Sequence, residues 1–152
     1  MATTTNSLTL TSTDLFDDSL SISNTSTCYK AGTTIGLDQT TGLNRVYLTA
    51  TTQIDIFTVM DAANAAENGK VYIANLSEDE TEFLTIGIGD AIIGKLYAGD
   101  FMWMPYSPKA IYSSDIELTP SVATGMSVEY MVIHNFGAIN PVSIDTRIYA
   151  DE

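Results

Sequence analysis

The chain has 152 residues, the length of one domain and enough to bury a hydrophobic core without disulfides or metals. Its 19 acidic and 6 basic residues give a net charge of −13. Such a surface repels phosphate backbones and anionic lipids, so we expect neither nucleic acid nor a membrane as a partner. A mean hydropathy of +0.10, with 45% hydrophobic residues, argues against a wholly disordered chain.

Cys28 is the only cysteine, so no disulfide can form within the chain. A free thiol is typical of proteins that fold in a reducing cytoplasm. The N-terminal sequence MATTTNSLTL lacks a cationic segment followed by an apolar block, so we expect no signal peptide. No apolar run approaches the ~18 residues that a membrane-spanning helix needs.

Residues 1–45 differ in composition from the rest of the chain. They hold most of the threonines and few large apolar side chains, yet these alternate, as in Leu8 and Leu10 and again in Leu20 and Ile22. The acidic sequence TDLFDDS between the two pieces predicts a turn. We therefore predict an extended Thr/Ser-rich arm with short strands that need a partner surface to bury them. A flexible tail is the alternative.

After residue 45 the sequence reads as a succession of short strands. Strand-like runs cover residues 45–50, 53–60, 71–74, 83–88, 91–97, 101–104, 111–118, 126–134 and 142–149. Asp61 and Gly69 are suited to begin and end one short helical connector. A spacing of roughly 8–12 residues between strands predicts an all-β fold. We predict an antiparallel β-sandwich of the jelly-roll type over residues 46–152.

The stretch from Lys70 to Tyr106 is the densest part of this pattern. Its four apolar runs are separated by an acidic loop and by Gly/Asp turns, so we expect consecutive antiparallel strands. Pro105 should end the last of them, because proline has no backbone donor.

The run at 101–104 is apolar on both faces, which predicts that a second subunit covers one of them. We take Phe101, Trp103 and Tyr106 as the residues of this subunit contact. The alternative is that all three lie in the core of a single chain.

Candidates for chemistry are few. His134 is the only histidine, which excludes a metal site built from imidazoles, and no G-x-S-x-G motif occurs. Acidic clusters at 14–18 and 78–82 could supply oxygen ligands to Ca²⁺, but neither has the spacing of an EF-hand loop, and solvated loop charges are the simpler interpretation. We predict no catalytic residue, no metal ligand and no cofactor, and a protein that is not an enzyme.

Several strings of the chain resemble small virion structural proteins of tailed bacteriophages. They are VYIAN at 71–75, LTIGIG at 84–89, GKLYAGDFMWMPY at 94–106 and VEYMVIH at 128–134, with further similarity at 42–45 and 47. The resemblance implies a β-sandwich that decorates or cements the capsid, commonly as a homotrimer. Its partners would be the major capsid protein and copies of itself, on the capsid surface of a virion, after synthesis in the host cytoplasm.

On this interpretation the arm binds the capsid, through Leu8, Leu10, Leu20 and Ile22. Neck, tail and fibre proteins carry similar β-modules, so a place elsewhere in the virion is an alternative. A lectin-like module that stacks glycans on Trp103 or on tyrosines is another. A small carbohydrate-active or metal-dependent enzyme is the last, disfavoured by the single histidine.

Overall fold

The computed structural model describes residues 3–15, 17–30, 32–49, 54–55, 57–59, 68–89, 91–106, 116–135 and 139–141, and these contain strands but no helix. The strands are β1 (Thr5–Ser12), β2 (Leu20–Thr27), β3 (Gln39–Thr40), β4 (Asn44–Leu48), β5 (Ile54–Asp55), β6 (Phe57–Val59), β7 (Gly69–Asn75), β8 (Phe83–Ile88), β9 (Ala91–Tyr97), β10 (Phe101–Tyr106), β11 (Ile116–Pro120), β12 (Met126–His134) and β13 (Ile139–Pro141). All pairings between them are antiparallel. The predicted all-β, antiparallel class is confirmed.

Two sheets form the body of the protein. One has the order β10-β7-β12, with β3 and β4 both pairing along β12, and the other has the order β5-β11-β8-β9. The pairs are nested along the chain: β8 with β9, β7 with β10, β5 with β11 and β4 with β12. A long two-stranded ribbon folded over on itself produces this nesting. Two further pairs, β1-β2 and β6-β13, form separate two-stranded sheets within the described residues.

The core lies between the two sheets and follows from period-two alternation. Leu84 and Ile86 of β8 and Leu118 of β11 face Val128 and Val132 of β12, and all five are at most 1% exposed. Burying each such side chain contributes about 1.5–3 kcal/mol. The remaining buried members of the cluster are Val46, Leu48, Val71, Ile73, Tyr106, Ile116, Met126 and Tyr130.

The four strands predicted between Lys70 and Tyr106 are present, but of these consecutive strands only β8 and β9 pair with each other as neighbours in sequence. β7 pairs with β10 and β12 instead of with its successor β8. The acidic loop at 76–82 carries the chain from one sheet to the other, and the turn at 98–100 carries it back. Face-to-face sheets are about 10 Å apart, and these connections span that gap.

Pro105 does not end its strand, contrary to the prediction. β10 continues to Tyr106, with Pro105 opposite Lys70 of β7. Within the described residues β10 is the outermost strand of its sheet, and an edge strand tolerates proline where the missing N–H would point away from the neighbour.

Three further predictions concern a C-terminal strand, the helical connector and the domain boundary. The run at 142–149 and most of the helical connector at 61–69 lie outside the described residues. Gly69, expected to end that connector, begins β7. The predicted domain boundary at residue 45 falls inside β4, and β3 already pairs with β12.

Candidate functional site

The N-terminal strands β1 and β2 form a hairpin with two different faces. They pair in register over all eight residues, with Leu10 opposite Ile22. Because paired residues share a face, one face carries Leu8, Leu10, Leu20 and Ile22 and the other only Ser and Thr. The four residues predicted for capsid binding are therefore brought together in one patch, called here the apolar strip.

The apolar strip is open to solvent. Leu8, Leu10 and Ile22 are 53%, 50% and 45% exposed, and Leu20 is half-buried. Within the described residues neither strand of the hairpin pairs with the body. A lone two-stranded hairpin is marginally stable in water, so covering the strip would stabilise it.

The base of the hairpin is fixed to the body. The backbone N–H of Cys28 donates to the carbonyl of Thr4 at 2.8 Å, which joins the two ends of the hairpin. The side-chain amide of Asn68, next to β7 of the body, donates to the carbonyl of Tyr29 at 2.8 Å. Buried Cys28 and Leu37 pack with Ile133 on the outer face of the five-stranded sheet, and Trp103 and Met131 pack against this second cluster. The base of the hairpin is thus tied to the body of the protein.

The three residues predicted for subunit packing are divided between the two faces of β10. Phe101, 65% exposed, and half-buried Trp103 are on the outer face, where Phe101 lies 6.4 Å from the ring of Tyr72. Tyr106 is on the inner face, 4% exposed, and belongs to the core. For Tyr106 the alternative of a place in the chain's own core is therefore correct.

A half-open groove of about 770 Å³ separates the hairpin from β10. Its walls are Asn6, Ser7, Leu8, Asn24 and Ser26 from the hairpin and Phe101 and Trp103 from β10. One wall is thus rich in amides and hydroxyls and the other is aromatic. The sequence-predicted sets for the arm and for the subunit contact meet across this groove through Leu8, Phe101 and Trp103.

Cys28 and His134, the chain's single cysteine and histidine, are buried. Burial raises the pKa of the Cys28 thiol, against the opposing charge of Lys70, so the nucleophilic thiolate is disfavoured. His134, 3% exposed, has its pKa lowered by burial, with the Asp38 carboxylate opposing the shift. Neither lies on the groove.

The acidic loop is organised by its own hydrogen bonds. The Asp79 carboxylate accepts from the backbone N–H and the hydroxyl of Thr81 at 2.9 and 2.7 Å, and these bonds lower the Asp79 pKa. Ser77 donates to the Glu82 carboxylate. In the part of the chain that the structure describes, no three His, Cys, Asp or Glu side chains are placed to share a metal ion.

Asn75 is a residue whose role sequence reasoning missed. It is fully buried, and its amide donates to the carbonyl of Leu96 at 3.0 Å while its side-chain oxygen accepts from the Ser77 N–H at 3.0 Å. Its backbone binds Asp100 and Gly99. Asn75 therefore joins both crossings between the sheets. Its place at the end of the VYIAN run, just before the acidic loop, is the signal that sequence offered.

The polar wall of the groove was also missed. Asn6, Asn24 and Ser26 have the same strand parity as the apolar strip and interrupt its alternation near the hairpin base. That interruption was visible in sequence, but the opposing wall comes from β10, about 75 positions later in the chain, and only the fold places it there.

Comparison with protein-family models, with curated proteins and with solved structures finds no match to this chain. No helix among the described residues is long and apolar enough to cross a membrane. The resemblance to virion proteins stays a prediction.

Proposed function

We propose that this chain is a non-enzymatic structural protein of a tailed-bacteriophage virion, which decorates or cements the capsid by adhesion. The observation that carries the proposal is the projecting hairpin with its exposed apolar strip. An amphipathic hairpin anchored at its base suits insertion against, or strand addition to, another protein.

The architecture of the body supports the same proposal. Four nested strand pairs, distributed over two facing sheets, are the connectivity of a jelly roll, a fold used by viral capsid and lectin domains. We assign the body to this fold. Within the described residues its core is formed by the two facing sheets without the hairpin, whose apolar strip can then contact a partner.

The charge of the hairpin indicates the chemistry of that partner. Asp14, Asp17 and Asp18 lie exposed at the turn, and the first basic residue of the chain is Lys30, beyond the hairpin. The apolar strip with an acidic tip fits an apolar groove that ends in basic residues, on the major capsid protein. Many copies bound around one shell would hold neighbouring subunits together by avidity.

The expected homotrimer belongs to the proposal, and its contact through Phe101 and Trp103 stays a prediction that the polar wall of the groove disfavours. Both residues face amides and hydroxyls across the groove, and an apolar subunit surface seated there would desolvate these groups without hydrogen bonds. A place in the neck, tail or a fibre is the rival within the virion. Copy number separates the two, because a head protein is present in hundreds of copies per particle and a neck or tail protein in far fewer.

The test uses particles of the virus that encodes the chain, stripped of this protein and mixed with the purified chain. We expect the variant Leu10→Thr/Ile22→Thr to keep its fold, since threonine favours strands, and to lose co-sedimentation with the particles. The matched control Thr9→Ser/Thr11→Ser changes the opposite face of the hairpin and should bind as the unaltered chain does. Deleting residues 1–25 should also abolish binding.

Equal binding by the double variant and the control would refute an adhesive role for the strip. Absence of the chain from purified particles would refute the virion assignment as a whole.

A further inference from the structure

We infer that the groove between the hairpin and β10 binds a neutral carbohydrate. The two walls differ in the way that a sugar ring requires. Phe101 and Trp103 present aromatic surface on one side, while Asn6, Asn24 and Ser26 present amides and a hydroxyl on the other. A pyranose has a face of C–H groups that stacks on aromatic rings and a rim of hydroxyls that both donate and accept hydrogen bonds.

The aromatic wall is held in place before any ligand arrives. Trp103 packs against the second cluster beside Met131, and the cross-strand pair of Trp103 is Tyr72. Phe101 also contacts Tyr72, with an angle of 41° between the planes of the two rings. A platform held by neighbours loses little conformational entropy on binding, which favours affinity at a shallow site.

The polar wall is ordered as well. The Ser26 hydroxyl donates to the side-chain oxygen of Asn6 at 2.7 Å. This bond occupies the oxygen end of the Asn6 side-chain amide. Asn24 stands exposed opposite Leu8 in the next row of the hairpin. These two rows are two positions apart along the strands and therefore share a face, so the amides of Asn6 and Asn24 lie on the same side of the groove.

The charge of the groove selects against other ligands. The chain carries 19 acidic and 6 basic residues, yet none of the lining residues is charged. An anionic glycan or a phosphate would find no cation in the lining and would meet the field of a chain with net charge −13. A cationic ligand would find no carboxylate there. The volume of about 770 Å³ lies in the usual range for small-molecule sites.

This inference goes beyond the proposed function and does not rest on it. The groove uses the base of the hairpin and shares Leu8 with the apolar strip, whereas the other strip residues, Leu10, Leu20 and Ile22, lie farther out. A particle that carries the protein could hold a neutral cell-surface polysaccharide while the outer part of the hairpin stays on the capsid.

The chain has a single tryptophan, so its fluorescence reports on the groove alone. The experiment titrates the purified chain with maltohexaose, cellohexaose, chitohexaose and mannohexaose, and with an oligogalacturonate as the anionic comparison. We expect a saturable shift in Trp103 emission with at least one neutral sugar, at a dissociation constant of about 1 mM or below.

Two exposed positions test the walls separately without touching the core. Asn24→Ala should weaken binding roughly three- to tenfold through loss of a hydrogen bond, and Phe101→Ala about tenfold through loss of stacking. Ser21→Ala, on the opposite face of the hairpin, is the matched control and should leave the titration unchanged. Circular dichroism verifies that each variant is folded.

A flat titration with every neutral sugar would overturn the inference, and so would a response to the anionic sugar alone. If Phe101→Ala instead reduces the size of an oligomer in sedimentation, with no sugar bound by the unaltered chain, a second subunit occupies the groove and the inference fails. Loss of sugar binding by Asn24→Ala with particle binding intact separates this result from a failure of the proposed function.

Discussion

The hairpin and the sandwich body are built from the same alternation of apolar and polar residues, but with opposite results. In the body, alternation places Leu118 and Ile86 against a second sheet, and both are buried completely or nearly so. In the hairpin, Leu10 and Ile22 alternate as regularly and stay about half exposed. The difference lies in the second layer, which within the described residues covers the sheets of the body and not the hairpin.

The comparison teaches that period-two patterning predicts which side chains share a face and says nothing of what covers that face. A strand pair without a second layer has no means of burying its apolar side by itself. Exposed apolar patches rimmed by polar residues are a feature of binding surfaces, and here Asn24 and Ser12 border the apolar strip. Among the described residues, the hairpin is a strand pair whose apolar face stays exposed.

The largest expected difference between the two regions is in stability. Leu118→Ala should lower the free energy of unfolding by about 2–5 kcal/mol, because it empties a fully enclosed site. Leu10→Ala is the matched change in the hairpin and should cost about 0.5 kcal/mol or less. Urea denaturation monitored by circular dichroism measures both.

Equal losses for the two variants would contradict the comparison. They would mean that the apolar strip is already covered in the isolated protein. Repeating the measurement over a range of protein concentrations would then identify a second copy as the cover, because its effect depends on concentration.

An intermediate effect is expected at the crossing between the two sheets. Asn75→Ala removes the hydrogen bonds from a fully buried side chain to Leu96 and Ser77, at a cost of about 1–3 kcal/mol. Asn24→Ala, on the exposed hairpin, is the control and should be nearly neutral. A neutral Asn75→Ala in the same denaturation assay would disprove the role assigned to Asn75.

The smallest expected effect is a pH dependence of the free energy of unfolding that arises from His134, a residue of the body. Burial lowers the pKa of His134 below its ordinary value of 6.5, so in the pH range just below 6.5 the unfolded chain binds a proton that the folded chain does not. Stability should therefore be unaffected by His134 above about pH 6.5 and should fall as the pH drops from there toward the folded-state pKa. The variant His134→Gln should lose this slope between pH 7 and 5. An unchanged slope in that variant would assign the effect to other groups.

Much of the fold was open to prediction from sequence because the strand signal is local. The bounds of β8, β9 and β12 agree with the predicted runs, and the apolar strip was identified residue by residue. The pairing of β7 with β10 was not predictable, since it depends on loops that cross between layers. Asn75 makes both crossings possible through hydrogen bonds to groups that are up to 25 positions away.

The residues of the candidate sites were predicted in part, because an apolar surplus along a strand is also a local signal. Leu8, Phe101 and Trp103 were singled out as apolar surplus, and the fold brings them together at one groove. Tyr106 was grouped with them by its place in the sequence, but its strand parity turns it toward the core. The polar wall showed in sequence only as an interruption of the apolar alternation, and its place opposite β10 depends on the fold.

Hydrogen exchange of the backbone amides, measured on the free protein and on the protein bound to particles, tests the central claim most directly. In the free protein we predict rapid exchange in β1 and β2 and slow exchange in β7, β8 and β12, because only the latter lie under a second layer. On the particle, β1 and β2 should become strongly protected while the body stays unchanged. Protection that appears in the body and leaves the hairpin as fast as before would contradict the account.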